Sequence, residues 1–366
     1  MKTKLPIDFT RAYARSGKTL AVVATRDNAE PFDPDGRFYR YDRDDVPPQD
    51  WTYSDFGFHI QSMTVYHSAE HATPDGYFVL LSSEGDVYHT YWKENFQEKI
   101  QGAGSWSDDS KGYGRLTRIR EIGQHLYACG EGGQIYVRKG NNDWRLLTDK
   151  LLLNPNAQEE AKPEKEPEFL SPEWQEWVTR SALNPASRDI LFFDINGLSE
   201  EAIYLCGEEG PGTKPVLCFW DGHELHELKI PIPVAALTGI YIENPDSVWV
   251  CGREGVLIHG SHTRGFSPVA LRQQHNLFHM ITPYREKLVM AASVRPGGLY
   301  EYDPKTGRFG RFDPPLPRLS NRDDNESIDN GPFFAQVIEN VLWVVASKDV
   351  FRFDGAAWER IEHPDL

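Results

Sequence analysis

Cysteine is scarce in this chain, four residues in 366, and Cys129, Cys206, Cys218 and Cys251 show no C-x-x-C spacing. That spacing excludes a zinc ribbon or a thioredoxin-type dithiol and leaves reduced core thiols as the expectation. Long apolar runs are missing as well. None approaches the ~18 residues that a membrane-spanning helix needs, and the only apolar run near the basic start Met1–Lys4 is Leu20–Ala24, too short for a secretory leader. A soluble, cytoplasmic protein without a membrane role is expected. Basic residues are the minority, 39 against 55 acidic, for a net charge of −16. Such a field repels nucleic acid and anionic lipid and attracts basic partners. No G-x-S-x-G elbow, H-E-x-x-H helix, Walker A loop or G-x-G-x-x-G turn occurs, so neither a catalytic residue nor a cofactor is assigned.

What the chain does contain is a core-forming composition, 39% apolar and 12% aromatic, and a repeat. Leu126–Tyr136 (LYACGEGGQIY) aligns with Val248–Ile258 (VWVCGREGVLI), and Ile203–Gly210 (IYLCGEEG) lies between them. Weaker copies begin at Leu20, Val79, Leu288 and Leu342. The position of Gly130 is filled elsewhere by Ala24, Ser82, Gly207, Gly252, Ala292 and Ala346. A small residue recurring there implies close backbone approach, and Cys129, Cys206 and Cys251 share the preceding apolar slot as core filling.

Each such strand is followed by a turn, a second strand, another turn and an aromatic-led strand, as in Phe353-Asp-Gly-Ala-Ala-Trp358. Before each sits a further apolar segment, such as Leu116–Ile122 or Leu237–Ile242. Four strands per unit, recurring about every 40 to 55 residues, is the mark of propeller blades. Counting Lys4–Phe56 as the first blade predicts an all-β, seven-bladed β-propeller spanning residues 1–366 as one domain. The Gly-rich hairpin and Trp turn of Cys129–Trp144 and Phe353–Trp358 resemble those of quinoprotein-like, YVTN-like and photosystem-assembly-factor propellers. No W-D dipeptide ends the blades, no kelch double glycine recurs in register, and no sialidase Asp box appears.

If the four strands of a blade are named a to d from the axis outward, b–c turns and d–a connections share one face, and a–b and c–d turns share the other. The long insertions at 101–115, 149–188 and 313–331 are d–a connections, and Arg26–Gly36 is a b–c turn, so all four project from one face. Long loops on a rigid scaffold are where function concentrates, although lengthening a surface loop costs little entropy and idle elaboration is the alternative. Within 149–188, the Glu-rich stretch Pro155–Pro167 reads as solvated. Ser171-Pro172 then reads as cap and first turn of a short helix, about 172–182, with Trp174 and Trp177 on one side. That helix either packs on the rim or presents an anchor to a partner.

The candidate partner-binding residues on this face are Trp106, Trp174 and Trp177 with Glu84, Asp108, Asp109, Glu131, Glu208, Glu209, Glu254, Asp323, Asp324 and Glu326. Aromatic anchors supply binding energy and acids supply steering, while any single acid serves solubility equally well. Two H-x-x-H spacings, His223/His226 and His259/His262, lack a third ligand, and no metal site is assigned. His59, Arg118, Glu121, Asp194 and His279 are isolated polar groups expected on axis-lining strands. The leading expectation is a monomeric protein-binding propeller that docks a basic protein, for instance an immunity protein neutralising a cationic toxin such as a nuclease. The rivals are an enzyme acting on a carbohydrate or small molecule through paired axial carboxylates, and a scaffold subunit of a larger complex.

Overall fold

A computed structural model describes residues 7–26, 36–67, 75–91, 93–156, 167–183, 188–210, 212, 214–269, 277–294, 296–320 and 331–366. It contains seven four-stranded antiparallel sheets, each built from four consecutive strands. The innermost strands are β1 (Ile7–Ala14), β5 (Ile60–Tyr66), β9 (Leu116–Ile122), β13 (Ile190–Ser199), β17 (Leu237–Asn244), β21 (Phe278–Tyr284) and β25 (Phe334–Ile338). The second strands are β2 (Thr19–Arg26), β6 (Tyr77–Ser82), β10 (His125–Gly130), β14 (Ala202–Glu209), β18 (Ser247–Gly252), β22 (Lys287–Ala292) and β26 (Val341–Ala346). The third are β3 (Gly36–Asp42), β7 (Asp86–His89), β11 (Ile135–Gly140), β15 (Lys214–Trp220), β19 (Leu257–Ser261), β23 (Gly298–Asp303) and β27 (Asp349–Phe353). The outermost are β4 (Trp51–Phe56), β8 (Phe96–Lys99), β12 (Asp143–Leu146), β16 (Leu225–Glu227), β20 (Gly265–Pro268), β24 (Arg308–Arg311) and β28 (Trp358–Ile361). The seven-bladed propeller expected from the repeat is the fold.

The apolar runs become second strands because both faces of a blade are covered, which favours continuous rather than alternating hydrophobicity. Strands β6, β18 and β26 are buried at every position. Alternate side chains serve opposite neighbours. Leu20, Val22 and Ala24 pack with Phe334, Trp343 and Val345 of the last blade, whereas Ala21 and Val23 pack with Ile60, Met63 and Leu80 of the second.

The repeated small position is explained by space alone. Gly130 and Gly252 have extended backbone that any residue adopts. A Cβ at Gly130, Gly207 or Gly252, however, would collide with the carbonyl oxygen of Arg115, Leu191 or Ala236 respectively, where the inner strand of the same blade begins. The four cysteines are buried free thiols, and burial pushes those of Cys129 and Cys251 up to about 12. They are therefore poor nucleophiles at neutral pH.

Among the described residues no sheet combines strands from the two ends of the chain. The ring closes instead by side chains meeting across the first and last blades. Trp51 Nε1 donates to Glu362 O at 2.9 Å, Trp343 Nε1 to Ser16 O at 3.0 Å and Arg352 Nε to Gly17 O at 2.8 Å. Tyr39 Oη donates to Asp365 at 2.7 Å, and the His363 ring packs edge-on against Tyr39 and Trp51.

Candidate functional site

Each inner strand starts on the face that carries the b–c turns and d–a connections, so the long loops crown the mouth of the axis. The best described of them, residues 100–115, is organised by one carboxylate. Glu84 Oε2 accepts from the backbone N–H groups of Ser105, Trp106 and Ser107 at 2.9, 2.7 and 3.1 Å. Asp109 Oδ2 accepts from Gly102 N at 2.8 Å, a bond that holds its carboxyl below the usual range. These anchors set the loop so that Trp106 stands 84% exposed, beside an exposed Asp108. A large aromatic held out by a buttressed loop has already met much of its ordering cost, which favours its use as a contact.

Other turn acids face inward. Glu131 accepts from Arg115 N and forms a 2.8 Å ion pair with its guanidinium. Glu208 is buried, accepts from Gly212 N at 3.1 Å and lies 3.3 Å from Arg253. Glu209 pairs with Arg188 at 2.7 Å and Lys214 at 2.9 Å. The Arg188 hydrogen bonds outweigh burial and hold the Glu209 carboxyl at about 2. At short range these acids are partly neutralised by the basic groups beside them.

Glu254 differs. It is exposed and sits at φ 61° in the b–c turn of blade 5, where the matching turn of blade 3 has Gly132 at φ 62°. Asp323, Asp324 and Glu326 lie outside the described residues, as do 157–166 of the Glu-rich stretch.

The helix foreseen in the largest insertion, α1 (Pro172–Leu183), forms with Ser171 as its cap, the hydroxyl accepting from Trp174 N at 3.1 Å. From Pro172 to Thr179 none of its residues is buried. Trp174 rests edge-on against Phe169 with ring centroids 5.0 Å apart, and Trp177 is half-buried. Phe169, Leu170 and Val178 are exposed. Phe169 and Leu170 were not among the sequence candidates. Two large apolar residues directly before a helix cap were the available signal.

On the opposite face each H-x-x-H histidine has its own local role or exposure. His226 meets Asp221 at 2.8 Å, His259 stacks on Trp249, His262 stacks on Phe219 and bonds Tyr204 Oη at 2.9 Å, and His223 is exposed. Among the described residues no cluster of three metal-ligating side chains occurs. Along the axis, Asp194 is shared by Arg118 at 3.2 Å and Arg120 at 3.0 Å, and Glu121 pairs with His67 at 2.7 Å. These two acids are engaged with basic side chains rather than with one another, unlike the convergent pair a glycosidase requires.

The class of protein is thus a seven-bladed β-propeller, and comparison with solved structures agrees. The chain is similar to a catalytically inactive virginiamycin B lyase variant from Staphylococcus aureus solved with quinupristin (TM-score 0.58, 10% identity, 93% of this chain and 92% of that one). It is equally similar to YCF48 from Cyanidioschyzon merolae (TM-score 0.58, 12% identity, 94% of each chain). At such identities the likeness is one of fold. No family model matches the sequence. Among curated proteins the chain is similar to the immune protein Tsi7 of Pseudomonas aeruginosa PAO1, 24% identical over 307 residues that cover 83% of this chain and 80% of that protein. Among the described residues no helix is long and apolar enough to cross a membrane.

Proposed function

We propose that this chain is an immunity protein that acts without catalysis, binding a cationic protein toxin across its loop-rich face. The observation that carries the reading is the similarity to an immune protein along most of both chains. The physical properties agree with it. A net charge of −16 accelerates encounter with a basic partner. Trp106 on its buttressed loop, with Trp174, Trp177, Phe169 and Leu170 around the helix, provides large apolar contacts of the kind that dominate interfaces. Glu254 and Asp108 remain exposed for salt bridges at the rim, while Glu84, Glu131, Glu208 and Glu209 shape the loops from which contacts are made. Asp323, Asp324 and Glu326 belong to the same proposed surface.

The test is co-purification of the intact chain, and of a variant lacking residues 155–182, with any cationic protein encoded nearby. Retention by the intact chain and loss or marked weakening in the variant is expected. Equal retention by both would remove the helix from the interface, and failure of the intact chain to bind would contradict the reading.

A further inference from the structure

The acidic molecule has a basic throat. Arg11 on β1, Arg118 and Arg120 on β9, His279 on β21 and His59 just before β5 all belong to the innermost layer. Arg11 and Arg118 come from blades 1 and 3, and His279 comes from blade 6. No two of these blades adjoin, yet the charge of Arg11 is felt by His59 and His279, and that of Arg118 by Arg11 and His279. Such influence runs across the axis, so the side chains share the axial space. All five are half-buried, and this leaves them accessible there.

The charges do not balance. Asp194 answers both Arg118 and Arg120, and Arg11 has no carboxylate within ion-pair distance among the described residues. Arg11 spends Nε on Gln61 O at 2.6 Å and one Nη1 proton on Thr10 O at 2.7 Å. A guanidinium has five N–H groups, so three of Arg11 lack a protein acceptor among the described residues. Arg118 spends only Nε, on Phe193 O and Asp194, and the buried Nε of Arg120 has no protein acceptor. Three guanidinium groups around one carboxylate leave an excess of two positive charges in a poorly solvated space. Burial first, and then the charge of Arg118, lowers the Arg11 pKa to about 10. Burial, with Arg11 and Arg118 beside it, lowers that of His279 to about 4. Desolvated, mutually repelling cations of this kind are stabilised by an anion that accepts several N–H bonds at once, and arginine forks match oxyanions in geometry.

We infer that the axial space of this propeller is a binding site for a small oxyanion, phosphate or polycarboxylate, held by Arg11 and Arg118 with Arg120 beside them. The site lies near the middle of the axis, because Arg11 is the fifth of the eight residues of β1, and Arg118 and Arg120 are the third and fifth of the seven of β9. It does not depend on the protein partner proposed above, since its residues belong to the inner strands and not to the crowning loops.

The experiment is calorimetric titration of the intact chain with inorganic phosphate and, separately, with citrate, each against sodium chloride at matched ionic strength. Arg11→Gln, Arg118→Gln and the exposed-pair control Arg145→Gln are titrated alongside. Saturable binding of at least one anion is expected, weakened about tenfold or more in Arg11→Gln and Arg118→Gln and unchanged in Arg145→Gln. Arg11→Lys, which keeps the charge, should restore part of the affinity if Arg11→Gln folds poorly. Saturation by phosphate alone or by citrate alone assigns the class of ligand. No saturable binding of either anion would overturn the inference, as would binding that both Arg→Gln variants leave intact, which would mean an adventitious ion only.

Discussion

At Glu98 a buried carboxylate joins blades 2 and 3. It receives Arg138 Nε and Nη2 at 2.9 and 2.6 Å, Trp144 Nε1 at 2.8 Å and Asn142 N at 3.2 Å, with His89 at 3.5 Å. Burial alone would raise its pKa, but His89 and Arg138 outweigh burial and hold it at about 2, against an ordinary 4.5. A carboxyl depressed in the folded state contributes stability that is complete above its unfolded pKa and lost as pH falls towards its folded one. The free energy of unfolding measured by denaturant titration should therefore fall progressively from about pH 4.5 down to 2. Glu98→Gln, which leaves Arg138 buried without its counter-charge, should cost roughly 3–5 kcal/mol at neutral pH and flatten that acid limb. An unchanged acid limb in the variant would show that the linkage resides elsewhere. The pairing of Glu98 with Arg138 was not legible in the sequence, because it is set by the register of two neighbouring blades. The same holds for Arg11, since sequence pattern does not tell which residues of an inner strand turn to the axis.

Among the elements, the b–c turns separate two uses of one backbone shape. At Gly132 of blade 3 a side chain would strike Tyr113 O, so glycine is required. The equivalent Glu254 of blade 5 accepts a left-handed conformation, at a cost of about 1–2 kcal/mol for a non-glycine residue. Its Oε1 receives a single 3.2 Å bond from Ala235 N. A residue kept against its backbone preference is a candidate for external use. Glu254→Gly should leave the melting temperature unchanged or raised, yet weaken binding of the cationic partner; a clear fall in melting temperature would assign Glu254 a structural role instead. The elements themselves were largely legible. Continuous apolar runs marked the second strands, the recurring small residue marked their ends, and Ser171-Pro172 marked the start of α1. The inward commitments of Glu84, Glu131, Glu208 and Glu209 were not, because a turn acid looks the same in sequence whether it meets solvent or a neighbouring loop's N–H groups.

At the level of the whole molecule, no blade among the described residues combines strands from both ends of the chain, and the ring is closed through bonds between residues more than 300 apart such as Trp51 and Glu362. Contacts so distant leave no local pattern, although the blade count itself was readable. Closure fixes the seven inner strands around the axis and sets the long loops on one face, where Trp106 stands exposed. The central claim is that this face binds a basic protein. Its most direct test is the affinity of the intact chain for the cationic protein encoded beside it, measured by calorimetry at two ionic strengths. Trp106→Ala and Trp174→Ala on the loop-rich face are compared with Val46→Ala on the opposite one. The account predicts binding that weakens as salt rises, a loss of about 2 kcal/mol or more for at least one tryptophan variant, and no change for Val46→Ala. Binding insensitive to both tryptophans but lost in Val46→Ala would place the interface on the other face and contradict it.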